Sequence, residues 1–276
     1  MKKVKKWVKA LAATVAILAV LVGAYACPRL GTEYPAMSVD RIPARHAVVA
    51  IFGATGRVGS GILQAAMDDP SVERIHVVTR RPSPRIEEGL AAGVVRMTTH
   101  IDYLDYTALH GILAEVDAIY WAIGTSAANV DRAEYTVIHV DFPKALVREW
   151  LDVRGDDADL SFHYVSGGGA SAESWMHWAR EKARAEKELS ELARGTGLRV
   201  ISYRPAPVIP SDERAGIGHS VLRLLFLPIK LAIESPSIGQ AMLEVTARGQ
   251  EFHNGAVLEN RDMLMYSNAY RAATNR

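Results

Sequence analysis

From residue 47 onward, the apolar positions follow two alternating patterns. Short apolar runs rich in β-branched residues, bounded by glycine or polar turns, predict buried parallel strands. Between these runs, apolar residues recur every three or four positions, as on the packed face of a helix. The runs that predict strands are 47–52, 74–79, 93–98, 117–123, 160–165 and 199–203, with a last strand around Val257. The alternation predicts an α/β fold with a doubly wound parallel sheet.

A glycine-rich turn follows the first strand and leads directly into a helical pattern. Gly53 permits a tight turn, Gly56 lets backbone approach a pyrophosphate, and Gly59 lets the helix lie close to the strand. The free N–H groups at the start of that helix attract phosphates. The motif predicts a dinucleotide-binding Rossmann fold, with the cofactor contacted by Gly53, Ala54, Thr55, Gly56, Arg57, Val58 and Gly59.

The second strand ends in a pair of arginines, Arg80 and Arg81, with no acidic residue beside them. An acidic residue there would hold the ribose 2′-hydroxyl of NAD, whereas arginine accommodates the 2′-phosphate of NADP. NADP(H) is therefore favoured over NAD as the cofactor. Asp102, after the third strand, is placed to meet the adenine. Ala122 and Gly124 end the fourth strand, where small residues let the backbone pass the cofactor.

Taken in order, the motifs resemble those of the atypical short-chain dehydrogenase/reductases. The resemblance covers residues 47–208 and is nearest to the NAD(P)H-binding, NmrA-like group that includes the Tat-interacting-protein-like oxidoreductases. It rests on VVAIFGATGRVG at 48–59, IDY at 101–103, AIGT at 122–125, YVSGG at 164–168 and YRPAPV at 203–208. It implies a nicotinamide cofactor and a small-molecule substrate.

The resemblance breaks at the catalytic pair. Active members carry Tyr-x-x-x-Lys on the helix after strand five, and a serine at the end of that strand. Here Lys182 is present, Ser166 matches loosely, and Trp178 occupies the tyrosine position. An indole N–H cannot serve as a general acid. Two functions stay open: an NADP-dependent oxidoreductase acting on a small carbonyl or alcohol with a nonstandard proton donor, or a catalytically impaired NADP(H) sensor or interaction module.

Helical periodicity singles out the lysine without the family. A helix over 175–194 places Lys182 as the one charge within an inward-facing stripe formed with Trp175, Trp178, Ala185, Leu189 and Leu192. A buried lysine needs a partner, which a bound ribose would provide; otherwise its amine extends to the helix flank. Other candidates for the missing acid are His177, Tyr164 and Tyr203, which are more often packing or surface residues.

The first 27 residues form a separate unit. Five lysines among the first nine residues precede an uncharged run from Ala10 to Cys27. This pattern fits a transmembrane anchor, a cleaved signal peptide ending at 24–26, or a lipoprotein signal at Cys27. Translation from Met37 would remove it altogether. A polar linker over 28–45 then leads to the NAD(P)-binding domain at 46–265.

The N-terminal segment therefore predicts a membrane-anchored or envelope protein, or a cytoplasmic one if translation starts at Met37. The lysine excess before the apolar run places the N-terminus in the cytoplasm and the domain outside, which conflicts with the cytoplasmic location of NADP(H). Near the other end, residues 217–233 are apolar but interrupted by Arg223, Pro228 and Lys230, which favours a small C-terminal helical cap over the substrate cleft. Residues 235–247 predict a further amphipathic helix.

Composition removes several other classes of function. The formal net charge is +1, so the chain lacks the basic excess typical of nucleic-acid binding. The single cysteine, Cys27, cannot form an intrachain disulfide, and no spacing of cysteine and histidine resembles a zinc site. The expected partners are a small-molecule substrate and, through the N-terminal segment, a membrane.

Overall fold

A seven-stranded parallel sheet forms the centre of the molecule, as the alternating pattern predicted. The computed structural model describes residues 41–156, 158–210 and 231–274, together with Val15. Its strands are β1 Val48–Phe52, β2 Arg74–Thr79, β3 Val95–Thr99, β4 Ala118–Trp121, β5 Leu160–Val165, β6 Leu198–Arg204, β7 Val208–Ile209, β8 Ile233–Glu234 and β9 Ala256–Glu259. The order β3-β2-β1-β4-β5-β6-β9 is that of a doubly wound Rossmann sheet, while β7 and β8 pair separately.

Helices cover both faces of this sheet. They are α1 Arg57–Asp68, α2 Pro84–Ala91, α3 His110–Glu115, α4 Arg132–Thr136, α5 Phe142–Arg154, α6 His177–Leu192, α7 Ser235–Arg248 and α8 Asn260–Thr274. Because successive side chains of a strand point to opposite faces, β1 contributes to two separate cores. Val49 and Ile51 pack toward α1, α7 and α8, whereas Ala50 and Phe52 pack toward α3, α5 and α6.

Residues 235–247 form a helix, as predicted, but the exposed face that an amphipathic helix would have is buried. Helix α7 is buried on nearly every side, because it lies between α1 and α8 on one face of the sheet. Glycines make this packing close: a Cβ added at Gly239 would lie 2.7 Å from the Cβ of Ala65. Charged residues tolerate the burial through pairing, as Glu244 accepts from Arg248 at 2.6 Å and from Arg41 at 2.8 Å.

Packed residues continue past the predicted domain bounds of 46 and 265. The Ile42 N–H donates to Ala247 O at 2.8 Å, and residues 43–46 form a 3₁₀ turn that buries His46. At the other end, α8 runs to Thr274 and buries Tyr270. The last residues of the predicted linker therefore belong to the folded domain.

Several predictions fall on other parts of the chain. The hydrophobic segment of residues 1–27 apart from Val15, most of the linker, and residues 217–230 of the predicted cap lie outside the described residues. Within the described ranges, no helix combines the length and the apolar character needed to cross a bilayer.

One buried polar cluster ties α7 to the sheet and makes stability depend on pH. The ring of His163 hydrogen-bonds Tyr203 Oη at 2.8 Å, Ser161 Oγ at 3.1 Å and Thr246 Oγ1 at 3.0 Å. Burial lowers the pKa of His163 to about 3. The unfolded chain, with an ordinary histidine pKa near 6.5, therefore binds a proton that the folded chain does not. Stability is complete above pH ~6.5 and falls as the pH drops from there toward 3.

We expect the free energy of unfolding to fall by about 2 kcal/mol between pH 7 and pH 5 through His163 alone. Urea titrations at both pH values measure this difference. His163→Gln should reduce the difference, while His110→Gln, at an exposed histidine paired with Glu149, should leave it unchanged. An identical pH dependence in the wild type and His163→Gln would contradict the role assigned to this ring.

Candidate functional site

The carboxyl ends of β1 and β4 lie side by side where the strand order reverses. Such a switch point opens a crevice between the loops that leave the two strands. The loops touch closely: the Ala122 N–H donates to Phe52 O at 2.9 Å, and Gly53 has a φ of 84°. A Cβ at Gly53 would lie 2.6 Å from the carbonyl carbon of Ala122. Only glycine fits this position, on both conformational and steric grounds.

The glycine-rich turn then delivers the start of α1 to this crevice. Gly56 precedes the helix, and no described side chain caps it, so backbone N–H groups of the first turn face outward. A Cβ at Gly59 would lie 2.1 Å from Gly53 O, which shows how closely the helix meets the strand end. These uncapped donors, with the positive end of the helix dipole, fit a pyrophosphate. Thr55 and Gly56 line the crevice, whereas Ala54 is wholly buried beneath it.

A cavity of about 310 Å³ on one side of the turn contains both predicted arginines. Arg80 and Arg81 are exposed at its wall, and the Thr79 hydroxyl donates to Arg81 O at 3.0 Å, which holds the turn after β2. Tyr103 lies opposite. Burial raises the pKa of its hydroxyl, and the charge of Arg80 partly opposes that rise. Glu134, from α4, is the one carboxylate among the lining residues.

Asp102 does not share this cavity. It is exposed, and its carboxylate accepts from the Leu104 N–H at 3.0 Å. Its neighbour Tyr103 lines the wall instead. Both residues belong to the IDY motif, but the prediction named its acidic residue, Asp102, and not Tyr103.

A larger cavity of about 1030 Å³ lies on the other side of the turn. It shares Gly56 and residues 122–125 with the smaller cavity, so the two form one continuous cleft. Its remaining walls come from the start of α1, the segment around α4, the end of β5, α6 and the loop after β6. They include Arg57, Val58, Tyr135, His139, Ser166, Gly167, Gly168, Trp178, Lys182 and residues 205–208. The predicted Lys182, Ser166 and Trp178 are therefore brought together with the phosphate-binding turn.

Lys182 is buried, with 6 % of its surface exposed. Its Nζ donates to Val165 O at 2.8 Å and to Tyr164 Oη at 3.3 Å. Burial lowers the pKa of the amine to about 7, and the negative charge of Glu186 only partly opposes this. Its side chain does not extend to the helix flank, because the hydrogen bonds hold it at the end of β5.

Two further polar groups of the cavity wall lack partners. The Oγ of Ser166 and the Nδ1 of His139 are buried without a hydrogen bond among the described residues. Unsatisfied buried polar atoms cost free energy, so they favour a bound ligand that would pair with them. Together with the glycine cradle, they show that the residues present fit a nicotinamide dinucleotide and a polar substrate group.

Sequence reasoning missed His139. It lies in a π-helical turn, Val137–Asp141, between α4 and α5. Its ring packs 4.1 Å from that of Tyr135, and its Cε1 would be 2.8 Å from a Cβ at Gly124. Burial lowers its pKa to about 3, so the ring is neutral at physiological pH. A π-helical turn departs from the 3.6-residue period, so the pattern of apolar positions gave no sign of it.

The remaining candidates for the missing acid do not face the large cavity. Tyr164 is fully buried and donates to His139 O at 2.9 Å. Tyr203 is fully buried against His163. His177 lies within hydrogen-bonding distance of Arg132 O, in a side cavity of about 300 Å³.

The predicted start of the helix at Trp175 was wrong. Helix α6 begins at His177, because Met176 has an extended backbone, and the preceding residues form a turn in which the Ser174 N–H donates to Ser171 O. Trp175 is 87 % exposed rather than inward-facing. Trp178 does face the cavity, and its indole N–H donates to Met176 Sδ at 3.3 Å.

Comparison with known proteins agrees with this geometry. The model of the NAD-dependent epimerase/dehydratase family matches residues 49–226, which is more than half of the chain, and the chain belongs to that family. Its members bind a nicotinamide cofactor, and the resemblance to short-chain dehydrogenase/reductases is confirmed. The narrower placement in the NmrA-like group stays a prediction.

Curated relatives match parts of the chain. Leucinostatins biosynthesis cluster protein T of Purpureocillium lilacinum is 28 % identical over 142 residues, covering 51 % of this chain and 51 % of that protein. "Protein fmp52, mitochondrial" of Aspergillus fumigatus is 28 % identical over 183 residues, covering 64 % of this chain and 73 % of that protein. The first match thus spans about half the length of its relative.

Solved structures share the fold at lower identity. A short-chain dehydrogenase/reductase of Saccharomyces cerevisiae is 14 % identical with a TM-score of 0.59, covering 77 % of this chain and 95 % of that one. The MalC reductase/Diels-Alderase of Malbranchea aurantiaca is 17 % identical with a TM-score of 0.58, covering 79 % and 96 %.

The glycine turn supports a direct test. Gly59→Val would force side-chain atoms into Gly53 O, displace the start of α1, and abolish NADPH binding measured by calorimetry. Gly111→Ala is the matched control, because a Cβ there meets no atom within 4 Å, and its binding should equal that of the wild type. Unchanged NADPH binding by Gly59→Val would rule out the phosphate-binding role of this turn.

Proposed function

We propose that the protein is an NADP(H)-dependent oxidoreductase that acts on a small carbonyl compound or alcohol. The observation that carries this proposal is the continuous cleft from the arginines after β2, past the glycine turn, to the buried amine of Lys182. Arg80 would hold the adenosine half of a dinucleotide in this cleft, and Lys182 would lie at its nicotinamide half. When bound, the nicotinamide supplies or accepts a hydride.

The preference for NADP over NAD is supported by charge at the adenosine end. Arg80 and Arg81 are both exposed at the wall of the smaller cavity, where a 2′-phosphate would have room to pair with them. No acidic residue follows β2 to hold a 2′-hydroxyl instead. The one carboxylate that lines the same cavity, that of Glu134, comes from α4 and not from the turn after β2.

The chemistry at the other end is supported by the polar groups of the large cavity. The unpartnered Ser166 Oγ can donate a hydrogen bond to a substrate oxygen. Lys182 offers a cation in a site that burial shields from water, where its charge acts more strongly on a developing negative charge. Pro205, Pro207 and Val208 make part of the wall apolar, which suits a small neutral substrate.

A second function is favoured by one observation. Trp178 occupies the position of the usual acid, and its indole N–H is already directed at a sulfur atom. An NADP(H)-binding sensor or interaction module would bind the cofactor in this cleft without catalysing a reaction. Measuring NADPH binding beside NADPH oxidation separates the two functions.

For the cofactor, we expect tighter binding of NADPH than of NADH in calorimetry. Arg80→Asp should reverse the preference by removing the positive charge and placing a carboxylate near the ribose. Arg148→Asp, at an exposed arginine of α5 that lines neither cavity, is the matched control and should keep the preference. Equal affinity of the wild type for NADPH and NADH would contradict the proposal that Arg80 and Arg81 select NADPH.

For catalysis, we expect slow NADPH oxidation against a panel of small aldehydes and ketones. Trp178→Tyr should raise kcat because it places a phenol one helical turn before Lys182, on the same side of α6. Trp175→Tyr makes the same chemical change at an exposed tryptophan outside the large cavity, and should leave kcat unchanged. A fast wild-type enzyme with no response to Trp178→Tyr would mean that position 178 is not where the proton is supplied.

A further inference from the structure

We propose that Lys182 is itself the proton donor of this site, giving a proton directly to the carbonyl oxygen of the substrate. This inference rests on the proposed oxidoreductase function. Lys182 then donates the proton that a tyrosine would otherwise donate, instead of lowering the pKa of such a tyrosine.

The hydrogen bonds of the Lys182 amine leave one of its three N–H positions available for proton donation. Val165 O and Tyr164 Oη accept two of the three N–H bonds of the ammonium group. Because Tyr164 donates its own hydrogen to His139 O, its oxygen remains an acceptor toward Lys182. The same two bonds hold the neutral amine, whose lone pair then takes the third position. Lys182 can thus lose and regain one proton without moving.

The other titratable groups of the large cavity are poorly suited to donate a proton near neutral pH. Burial keeps His139 neutral, since its pKa is about 3. Tyr135 is buried, which raises its pKa to about 12. Arg57 stays charged at any physiological pH. Trp178 has no dissociable proton in this range.

Among the residues that the structure describes, no carboxylate forms an ion pair with the amine. Glu186, one turn along α6, is committed to Arg204 of β6, whose Nε donates to it at 2.9 Å. Glu181 accepts from Thr136 at 2.9 Å and pairs with Arg184. The groups that face Lys182 from β5 and from the π-helical turn, Tyr164 and His139, are neutral. Burial without a paired carboxylate is why the pKa of Lys182 lies at about 7.

In the reduction of a carbonyl compound, Lys182 gives its proton to the carbonyl oxygen. A bound nicotinamide would supply the hydride that the carbonyl carbon gains, and the C=O π electrons would then belong to the oxygen. That oxygen forms an O–H bond with a proton of Lys182 as the N–H bond breaks, leaving a neutral amine and an alcohol. After the alcohol leaves, the neutral amine takes up H⁺ from the solvent, which restores the ammonium form. Oxidation of an alcohol runs the same proton transfer in reverse, with the neutral amine as base.

The test compares Lys182→Arg with Lys187→Arg, since Lys187 is an exposed lysine of the same helix. Arginine keeps the positive charge but cannot give up its proton. We expect Lys182→Arg to bind NADPH in calorimetry while kcat for 4-nitrobenzaldehyde, or for the best aldehyde of a panel, falls about 100-fold or more. Lys187→Arg should match the wild type. Wild-type kcat for reduction should fall about tenfold per pH unit above pH ~7.

A second measurement needs neither cofactor nor substrate. Acetylation of the apoprotein by acetic anhydride, followed by mass spectrometry of the peptides, reports the fraction of each amine that is neutral. Lys182 should become reactive with a midpoint near pH 7, well below the value of ~10.4 for an ordinary lysine. A wild-type enzyme that turns over, with Lys182→Arg equally active or with a Lys182 midpoint at the ~10.4 of an ordinary lysine, would overturn this inference alone. NADPH binding without turnover of any carbonyl would overturn the oxidoreductase proposal itself, whatever the amine titration shows.

Discussion

The close approach of α1 to the ends of β1 and β4 is the constraint on which the site depends. It is possible because Gly53 and Gly59 carry no Cβ; at Gly59 that atom would lie 2.1 Å from a backbone oxygen. The approach brings the uncapped start of the helix to the switch point of the sheet, where the strand order opens a crevice. The glycine-rich turn and both cavities meet at this one contact, since both cavities are lined by Gly56 and by residues 122–125.

Around this contact, buried polar groups differ in how far they are paired. On the α7 side of the sheet, the ring of His163 has three partners and Glu244 accepts from two arginines, although His46 Nδ1 is buried there without a hydrogen bond among the described residues. At the cleft they are left partly unpaired, as with Ser166 Oγ and His139 Nδ1. Because an unmade buried hydrogen bond is costly, the two unpaired atoms beside the glycine turn favour a bound ligand. Lys182 at the same cleft is held by two neutral acceptors, and by no carboxylate in the part of the chain that the structure describes.

The pattern of apolar positions predicted the strands well, and the two exact matches, β2 and β5, are strands buried along almost their whole length. It also predicted that Lys182 is inward-facing, since a single charge in an apolar stripe is hard to explain on a surface. It failed at Trp175, where a turn displaced the start of α6 and left an aromatic ring exposed. It failed for His139 as well, because a π-helical turn breaks the periodicity on which the prediction depended.

The sequence by itself determined the α/β class, the dinucleotide turn, the arginine pair and the replacement of tyrosine by Trp178. These are local features, set by periodicity, by backbone freedom at glycine and by the identity of side chains close together in the chain. Only the tertiary structure decided that Tyr103 rather than Asp102 lines the cleft, that His139 and Tyr135 form its wall, and that no carboxylate of the described residues pairs with Lys182. Each of these depends on contacts between segments far apart in the chain, and burial and charge at a site are sums over such contacts.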